Sequence, residues 1–298
     1  LWPHNDMWGL HDFCLEGAQG AASFMEMVEK TFGPAQDAKE FTEYAQWINY
    51  NGYRGMFEGR SEFRRGLLLW MSHPAWPSHV WQTYDYYFDP TAAYFGCKKA
   101  SEPLHIQWNP VYDDIEVVNL HDGSRNNLVA KAVLINSDGT VQWEKDTLVN
   151  SREDATVKCF RLEFPETLSP AHFIKLTLTE NEAIVSENFY WRGLEEGNLQ
   201  SLKDLPKVTL RERTRRHKTK EGWKLTTVLE NESDTPCLMV RLEVVGNKTK
   251  ERILPVFYSD NYVFLMPGET KEIVMKLKEQ DTRGEKPIVN ISGFNYEP

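Results

Sequence analysis

The sequence predicts a multidomain chain of the α/β plus all-β class: the C-terminal part of a (β/α)8 barrel, followed by two β-sandwiches. Two observations support this prediction. Residues 1 to about 100 combine helical periodicity with glycines, aromatic side chains and one short apolar run. From about residue 102 onward, short alternating segments are separated by turn residues, as in antiparallel sandwiches. The predicted domains are residues 1–102 for the barrel part, 103–198 for one sandwich and 199–298 for the other.

Helices account for most of the first domain. Apolar residues in 20–31 have helical spacing, and the Gly-Pro pair at 33–34 ends that helix. A longer helix is expected over 37–59, where apolar residues recur with a period near 3.6. Residues 80–88 and 91–100 also have a helical pattern.

The run GLLLWM at residues 66–71 is apolar without alternation. Such a run is typical of a parallel strand that is buried on both faces. An aromatic loop follows at 72–78, and then the next predicted helix. This order is typical of the end of a β/α barrel, whose sites lie at the C-terminal ends of the strands.

The two predicted sandwiches rest on eleven strand-like segments. They are 115–119, 128–135, 157–164, 173–179 and 185–191 in the first, and 208–214, 223–230, 237–245, 263–265, 273–277 and 288–294 in the second. Turns are expected at Asn-Ser-Asp-Gly (136–139) and Met-Pro-Gly-Glu (266–269). Residues 194–206 are the predicted linker.

Composition excludes several classes of protein. The net charge of -10 argues against nucleic-acid binding, and the basic run 211–220 is interpreted as a solvated strand face. The sequence contains no apolar run of 18 residues, so it predicts no membrane span. The four cysteines form no CxxC pair, so we expect buried free thiols, with one long-range disulfide as the alternative. No metal site and no cofactor are expected.

Several motifs resemble one family of enzymes. WPHNDMWGLH at 2–11 is similar to the segment after the nucleophile strand of family 2 glycoside hydrolases, in the exo-β-D-glucosaminidase and β-mannosidase branch. GLLLWM at 66–71, AWPS at 75–78 and YDYY at 84–87 resemble its last barrel strand and loop. NFYW at 188–191 and SDNY at 259–262 resemble the ends of two trailing immunoglobulin-like domains.

This resemblance implies that the chain begins after the seventh barrel strand. Retaining glycosidases use two carboxylates, which in this family follow the fourth and seventh strands. Glu58 and Glu62 sit on or after a helix, and Asp6, Asp12 and Glu16 precede one, so we expect no catalytic carboxylate in this chain. The missing N-terminal barrel half is then a required partner, and the isolated chain is expected to be inactive.

Four residues are candidates for binding a β-linked oligo- or polysaccharide. Trp70 ends the predicted strand, and the resemblance implies a tryptophan under the sugar ring there. Trp76 and His73 lie in the following loop, and Trp8 lies in the segment after strand seven. Asp6 and Asp85 are alternatives that could pair with the ammonium of an amino sugar; a structural role as a helix cap or arginine partner is the other interpretation.

Two other classes of function stay open. The chain could be an associating subunit without catalysis of its own, or a carbohydrate-binding module built from the sandwiches. Residues near the N-terminus do not reveal the compartment; the resemblance implies a periplasmic or secreted protein if the source is bacterial.

Overall fold

The computed structural model describes residues 2, 6–13, 21–59, 66–78 and 82–298. Helix α1 (Asp6–Trp8) continues into a π-helical turn, Gly9–Phe13, and α2 (Ala21–Phe32), α3 (Ala38–Glu58) and α4 (Ala92–Ala100) follow. The predicted helices at 20–31, 37–59 and 91–100 are therefore confirmed. Asp37 caps α3 by accepting a hydrogen bond from the backbone of Glu40, 2.8 Å away.

The predicted strand at 66–71 is wrong for this structure. The segment has no strand hydrogen bonds, and its side chains are exposed, with Leu68 at 99%. A parallel strand obtains its hydrogen bonds and its burial from neighbouring strands. Within the described residues, no strand pairs with this segment.

The predicted helix at 80–88 is also wrong over 82–88. Tyr84 and Pro90 form a β-bridge around a turn instead. The carboxylate of Asp85 accepts hydrogen bonds from the backbone N–H groups of Tyr87 and Asp89, at 2.8 and 2.9 Å. Such a side chain offers the backbone an alternative to a helix. Residues 79–81 lie outside the described part of the chain.

The first sandwich consists of two antiparallel sheets. One has the order β1-β2-β5 and the other β4-β3-β6-β7. Its core is formed by buried aliphatic side chains such as Ile106, Val117 and Leu134. The strands are β1 (Leu104–Asn109), β2 (Asp114–Asn119), β3 (Arg125–Asn136), β4 (Val141–Ser151), β5 (Ala155–Arg161), β6 (Ala171–Glu180) and β7 (Ala183–Gly193).

The second sandwich also has two sheets, with the orders β12-β10-β14 and β11-β13-β9-β8. Its strands are β8 (Arg211–Lys218), β9 (Gly222–Glu230), β10 (Cys237–Gly246), β11 (Phe257–Tyr258), β12 (Val263–Leu265), β13 (Thr270–Lys278) and β14 (Pro287–Ser292). All eleven predicted segments overlap strands, and β1, β4 and β11 were not predicted. The two predicted turns are present, closed by Gly139 N to Asn136 O and by Glu269 N to Met266 O.

The helices and the second sandwich share one core, which also includes side chains from β3, β6 and β7 of the first sandwich. Trp47 of α3 packs edge-on against Trp191 of β7 and Phe294 near the C-terminus, with ring centroids 5.1 and 5.0 Å apart. The predicted linker 194–206 packs too: Leu199 is buried and its backbone N–H donates to Thr31 of α2. The domain boundaries at 102 and 198 stay predictions, because the core is continuous across them.

Cys97, Cys159 and Cys237 are free thiols as predicted, but only Cys237 is buried, while Cys97 and Cys159 are half-buried. Cys14 lies outside the described residues. No group of metal-binding side chains occurs among the described residues. In the same part of the chain, no helix is long and apolar enough to cross a membrane.

Candidate functional site

An aromatic segment, residues 66–78 and 82–90, carries most of the predicted site. Trp70 is 83% exposed and Trp76 is 50% exposed. Three more aromatic side chains are exposed at the tip of the 84–90 turn: Tyr86, Tyr87 and Phe88. Exposed apolar side chains gathered in one short stretch are typical of a binding surface.

His73 joins the two parts of the aromatic segment. Its ring stacks on that of Phe88, with centroids 4.1 Å apart and planes 14° apart. Its Nε2 lies 3.2 Å from the backbone oxygen of Tyr86. The backbone oxygen of Ser72 also accepts a hydrogen bond from the N–H of Tyr84, at 3.0 Å. The loop that contains Trp76 is therefore attached to the turn that contains Tyr86.

Two arginines of the second sandwich form ion pairs with aspartates of this turn. Arg252 donates to Asp85 at 2.9 Å and to Asp89 at 3.1 Å. Arg241 of β10 donates to Asp89 at 2.8 Å. Burial raises the pKa of the Asp89 carboxyl, and the two guanidinium groups counteract burial. Asp85, an alternative substrate acceptor from the sequence, thus has an arginine partner and accepts backbone hydrogen bonds within the turn.

Trp76 contacts the N-terminal segment. Its Nε1 donates to the backbone oxygen of His11 at 3.1 Å, and the two rings meet edge-on at 5.6 Å. His11 Nδ1 lies 2.5 Å from Asp12 Oδ1. Trp8 Nε1 donates to the other oxygen of Asp12 at 2.7 Å. The structure therefore brings Trp8 and Trp76 together through His11 and Asp12.

Trp8 itself is buried, at 1% exposure, and its ring meets that of Phe41 edge-on at 5.8 Å. Trp8 was a candidate for contact with the saccharide, but it lies beneath the surface, because its large indole packs beside α3. Trp70 has the opposite environment. Among the described residues, no hydrogen bond or ring contact fixes its side chain.

Sequence reasoning missed a buried junction of Arg54, Glu58, Glu102, His105, Asn188 and Tyr190. Glu58 Oε1 accepts hydrogen bonds from His105 at 3.1 Å, Asn188 at 2.8 Å and Tyr190 at 2.8 Å. His105 Nδ1 lies 3.2 Å from Glu102. With a carboxylate beside each ring nitrogen, His105 is arranged to donate from both, as an imidazolium does.

Charges in this junction stabilise one another. Burial disfavours the imidazolium, but hydrogen bonds to Glu102 and Glu58 outweigh burial and raise the pKa of His105. Burial opposes ionisation of Glu102 as well, yet His105 and Lys99 lower its pKa to about 2. Arg54 lies over the Tyr190 ring, 4.0 Å from its centroid, and donates to Asn188. The junction joins α3 to the first sandwich and presents no accessible acid–base pair.

Comparison with known proteins links this arrangement to one group of enzymes. Residues 188–296 match the family model of the exo-β-D-glucosaminidase Ig-fold domain. The exo-β-D-glucosaminidase of Amycolatopsis orientalis is 30% identical over 91% of this chain and 29% of its own length. The mannosylglycoprotein endo-β-mannosidase of Lilium longiflorum is 25% identical over 98% of this chain and 37% of its own. The chain thus spans about a third of the length of these curated relatives.

Solved structures agree with this likeness. The crystal structure of the Amycolatopsis orientalis exo-chitosanase is 28% identical, with a TM-score of 0.87 over 93% of this chain and 36% of that one. A β-D-mannosidase from Dictyoglomus thermophilum, 17% identical with a TM-score of 0.70 over 94% of this chain and 33% of its own, shares the fold. The chain is homologous to the C-terminal part of the exo-β-D-glucosaminidases, in the branch of glycoside hydrolase family 2 that also contains β-mannosidases.

Proposed function

We propose that this chain forms the C-terminal part of a retaining exo-β-glycosidase that hydrolyses β-glucosaminides or β-mannosides. In this proposal residues 1–102 complete a (β/α)8 barrel, and two immunoglobulin-like sandwiches follow at 103–198 and 199–298. The single observation that carries it is the exposed aromatic segment in a chain homologous to the C-terminal part of exo-β-D-glucosaminidases.

The aromatic segment forms one wall of the sugar pocket in this proposal. Trp70 stacks on the apolar C–H face of a sugar ring, since indole offers a large flat surface. Trp76 lines the same wall, and His73 holds the loop by its contacts with Tyr86 and Phe88. Trp8 acts from beneath as a positioning residue, because its indole N–H fixes the Asp12 carboxylate against His11.

Both catalytic carboxylates come from outside this chain. A retaining glycosidase needs a general acid and a nucleophile about 5 Å apart, on either side of the glycosidic bond. The carboxylates around the aromatic segment already have other partners: Asp85 and Asp89 bind arginines, and Asp12 binds Trp8 and His11. Glu58 and Glu102 are joined to His105 inside the junction. In this proposal none of these five protonates the glycosidic oxygen or attacks the anomeric carbon.

Hydrolysis by the isolated chain tests this proposal. We expect no turnover of 4-nitrophenyl β-D-glucosaminide or 4-nitrophenyl β-D-mannoside, at high protein concentration and between pH 4 and 7. The Amycolatopsis orientalis enzyme serves as the positive control for the glucosaminide. Turnover that copurifies with the folded chain would overturn the assignment of both carboxylates to the missing part.

A second candidate is an associating subunit that assembles with a separate N-terminal chain. The observation in its favour is the run of exposed apolar side chains from Leu68 to Met71, which a partner could cover. Light scattering of the isolated chain tests it, with the double variant Leu68→Ser and Leu69→Ser as comparison. Self-association that this variant abolishes supports a partner-binding surface, whereas a monomer at high concentration argues against it.

A further inference from the structure

The outer face of one sheet in the second sandwich carries a row of cations. Leu225 of β9 and Met275 of β13 point inward and are fully buried, so their neighbours Lys224 and Lys276 point outward. Lys224 pairs directly with His217 on one side and with Lys276 on the other. Arg215 adds a further charge two residues from His217 along the edge strand. All four cationic or basic side chains are exposed.

These charges are not explained by folding. Like charges placed directly opposite each other destabilise a sheet. Charged residues often protect an edge strand from pairing with another chain. This explains Arg215, which lies on the edge strand β8. It does not explain Lys224 and Lys276, because β9 and β13 are inner strands. Within the described residues, none of Arg215, Lys224 and Lys276 has an ion-pair partner, although acidic residues outnumber basic ones by 44 to 34 in the chain.

Aromatic side chains stand beside this row. Phe257 of β11 pairs with Lys276 and is 65% exposed. Phe257 and Trp223 line an adjoining cleft of about 610 Å³, together with four lysines and one carboxylate: Lys220, Lys224, Lys276, Lys278 and Glu221. Lys218 lies over the Trp223 ring, 5.6 Å from its centroid. Cations next to exposed rings fit a ligand that combines negative charge with apolar ring faces.

We propose that this basic face, made of Arg215, His217, Lys224, Lys276 and Phe257, binds an acidic polysaccharide. The carboxylates of the ligand neutralise the cations, and its sugar rings lie against Phe257 and Trp223. A glucosaminide carries an ammonium group, which this face repels, so the face is separate from the proposed sugar-cleaving wall. Its role is to hold the protein on an acidic glycan rather than to take part in hydrolysis.

Affinity chromatography and calorimetry with the full chain test the proposal. We expect binding to polygalacturonate at low ionic strength, no binding to neutral mannan, and weaker binding as salt screens the charges. The double variant Lys224→Gln and Lys276→Gln should bind polygalacturonate roughly tenfold more weakly, because two opposite-charge contacts are lost. A matched control, Lys248→Gln with Lys250→Gln, removes the same charge from the turn after β10 and should bind like the unchanged chain.

Two further measurements distinguish binding of an acidic polysaccharide from binding of any polyanion. Phe257→Ala should weaken binding to polygalacturonate without altering retention on polyglutamate, which has carboxylates but no sugar rings. Equal affinity for the two polymers would overturn the assignment to a polysaccharide. No binding to polygalacturonate, or equal loss in both double variants, would overturn the proposed face itself. Thermal unfolding of each variant verifies that the sandwich stays folded, and these results do not depend on glycosidase activity.

Discussion

The buried junction and the aromatic segment both extend from the helical part of the chain. They differ in how far their side chains are buried and paired with other groups of this chain. At the junction, Glu58 and His105 are buried and their polar atoms are occupied by partners from α3, β1 and β7. In the aromatic segment, Leu68 and Trp70 are almost fully exposed. Arg252 and Arg241 fix its 82–90 turn and His11 contacts Trp76, whereas the stretch from Leu68 to Met71 stays exposed. The first region is satisfied within this chain, and the second is the surface that we propose for binding.

Removing Glu58 should have the largest effect on folding. Glu58→Ala leaves the His105 imidazolium, Asn188 and Tyr190 without their shared acceptor in a buried site. Breaking one partner of a buried ionic cluster costs about 3–5 kcal/mol. Urea unfolding measures the loss, and Glu29→Ala on the exposed face of α2 is the matched control, expected within about 0.5 kcal/mol of the unchanged chain. If Glu58→Ala lowers the unfolding free energy no more than Glu29→Ala does, the junction does not stabilise the fold as we infer.

The second largest expected effect is a change in the free energy of unfolding with pH. His105 has a raised pKa, so its contribution is present below its ordinary value of 6.5 and is lost as pH rises through the folded-state pKa. Glu102 has a pKa lowered to about 2, so its contribution is present above 4.5 and is lost as pH falls toward 2. The junction therefore stabilises most between these ordinary values.

His105→Gln tests that window. We expect it to cost about 2 kcal/mol near pH 5.5, since hydrogen bonds to charged groups are lost, and to cost less at pH 3 and at pH 9. Thermal unfolding of both proteins across this range measures the difference. A difference that is independent of pH would show that His105 is not charged in the folded protein.

Loss of Arg252 should have a smaller and local effect. Arg252→Ala removes the contacts to Asp85 and Asp89, but Arg241 still holds Asp89. A partly exposed pair is worth up to about 1 kcal/mol, so the change in unfolding free energy is small. Hydrogen exchange should instead accelerate in residues 82–90 and leave α3 unchanged. Arg283→Ala, which removes an exposed pair with Glu251, is the control and should alter neither.

Trp70 should contribute least to stability. Trp70→Ala is expected to change the unfolding free energy by no more than about 0.5 kcal/mol, because the side chain is 83% exposed. In a barrel completed by its N-terminal part, the same change should lower kcat/KM on a β-glucosaminide or β-mannoside roughly tenfold through lost stacking. Tyr112→Ala, also an exposed ring, is the control for both measurements and should leave hydrolysis unchanged. A Trp70 variant that unfolds easily would mean that the indole packs within this chain.

Sequence periodicity predicted the helices and most strands because those elements bury one face, and burial leaves a pattern. Strand β4 was missed because polar residues, Lys145 and Thr147, separate Val141 and Trp143 from Val149 on its inner face, so the apolar alternation is interrupted. The strand predicted at 66–71 was wrong because the hydrogen bonds of a parallel strand come from other strands, and these are not among the described residues.

The site was predictable only in part. Trp70, Trp76 and His73 were singled out because they lie in one short aromatic stretch. Trp76 and His73 contact neighbouring elements, while the contact of all three with a sugar stays a prediction. The junction was not found, since Glu58 meets Asn188 and Tyr190 across 130 and 132 residues of sequence. A glutamate in the last turn of a helix is ordinarily exposed, and nothing local indicates a histidine partner. The burial of Trp8 was missed for the same reason, because it depends on contacts with residues that are distant in sequence.

The most direct test of the divided site is the coding sequence immediately upstream of Leu1. We predict a short, buried apolar strand that ends in a glutamate, the nucleophile of the completed barrel. Further upstream we predict a second strand that ends in the general acid. A strand without a carboxylate at that position would contradict the assignment of catalysis to the preceding part of the protein.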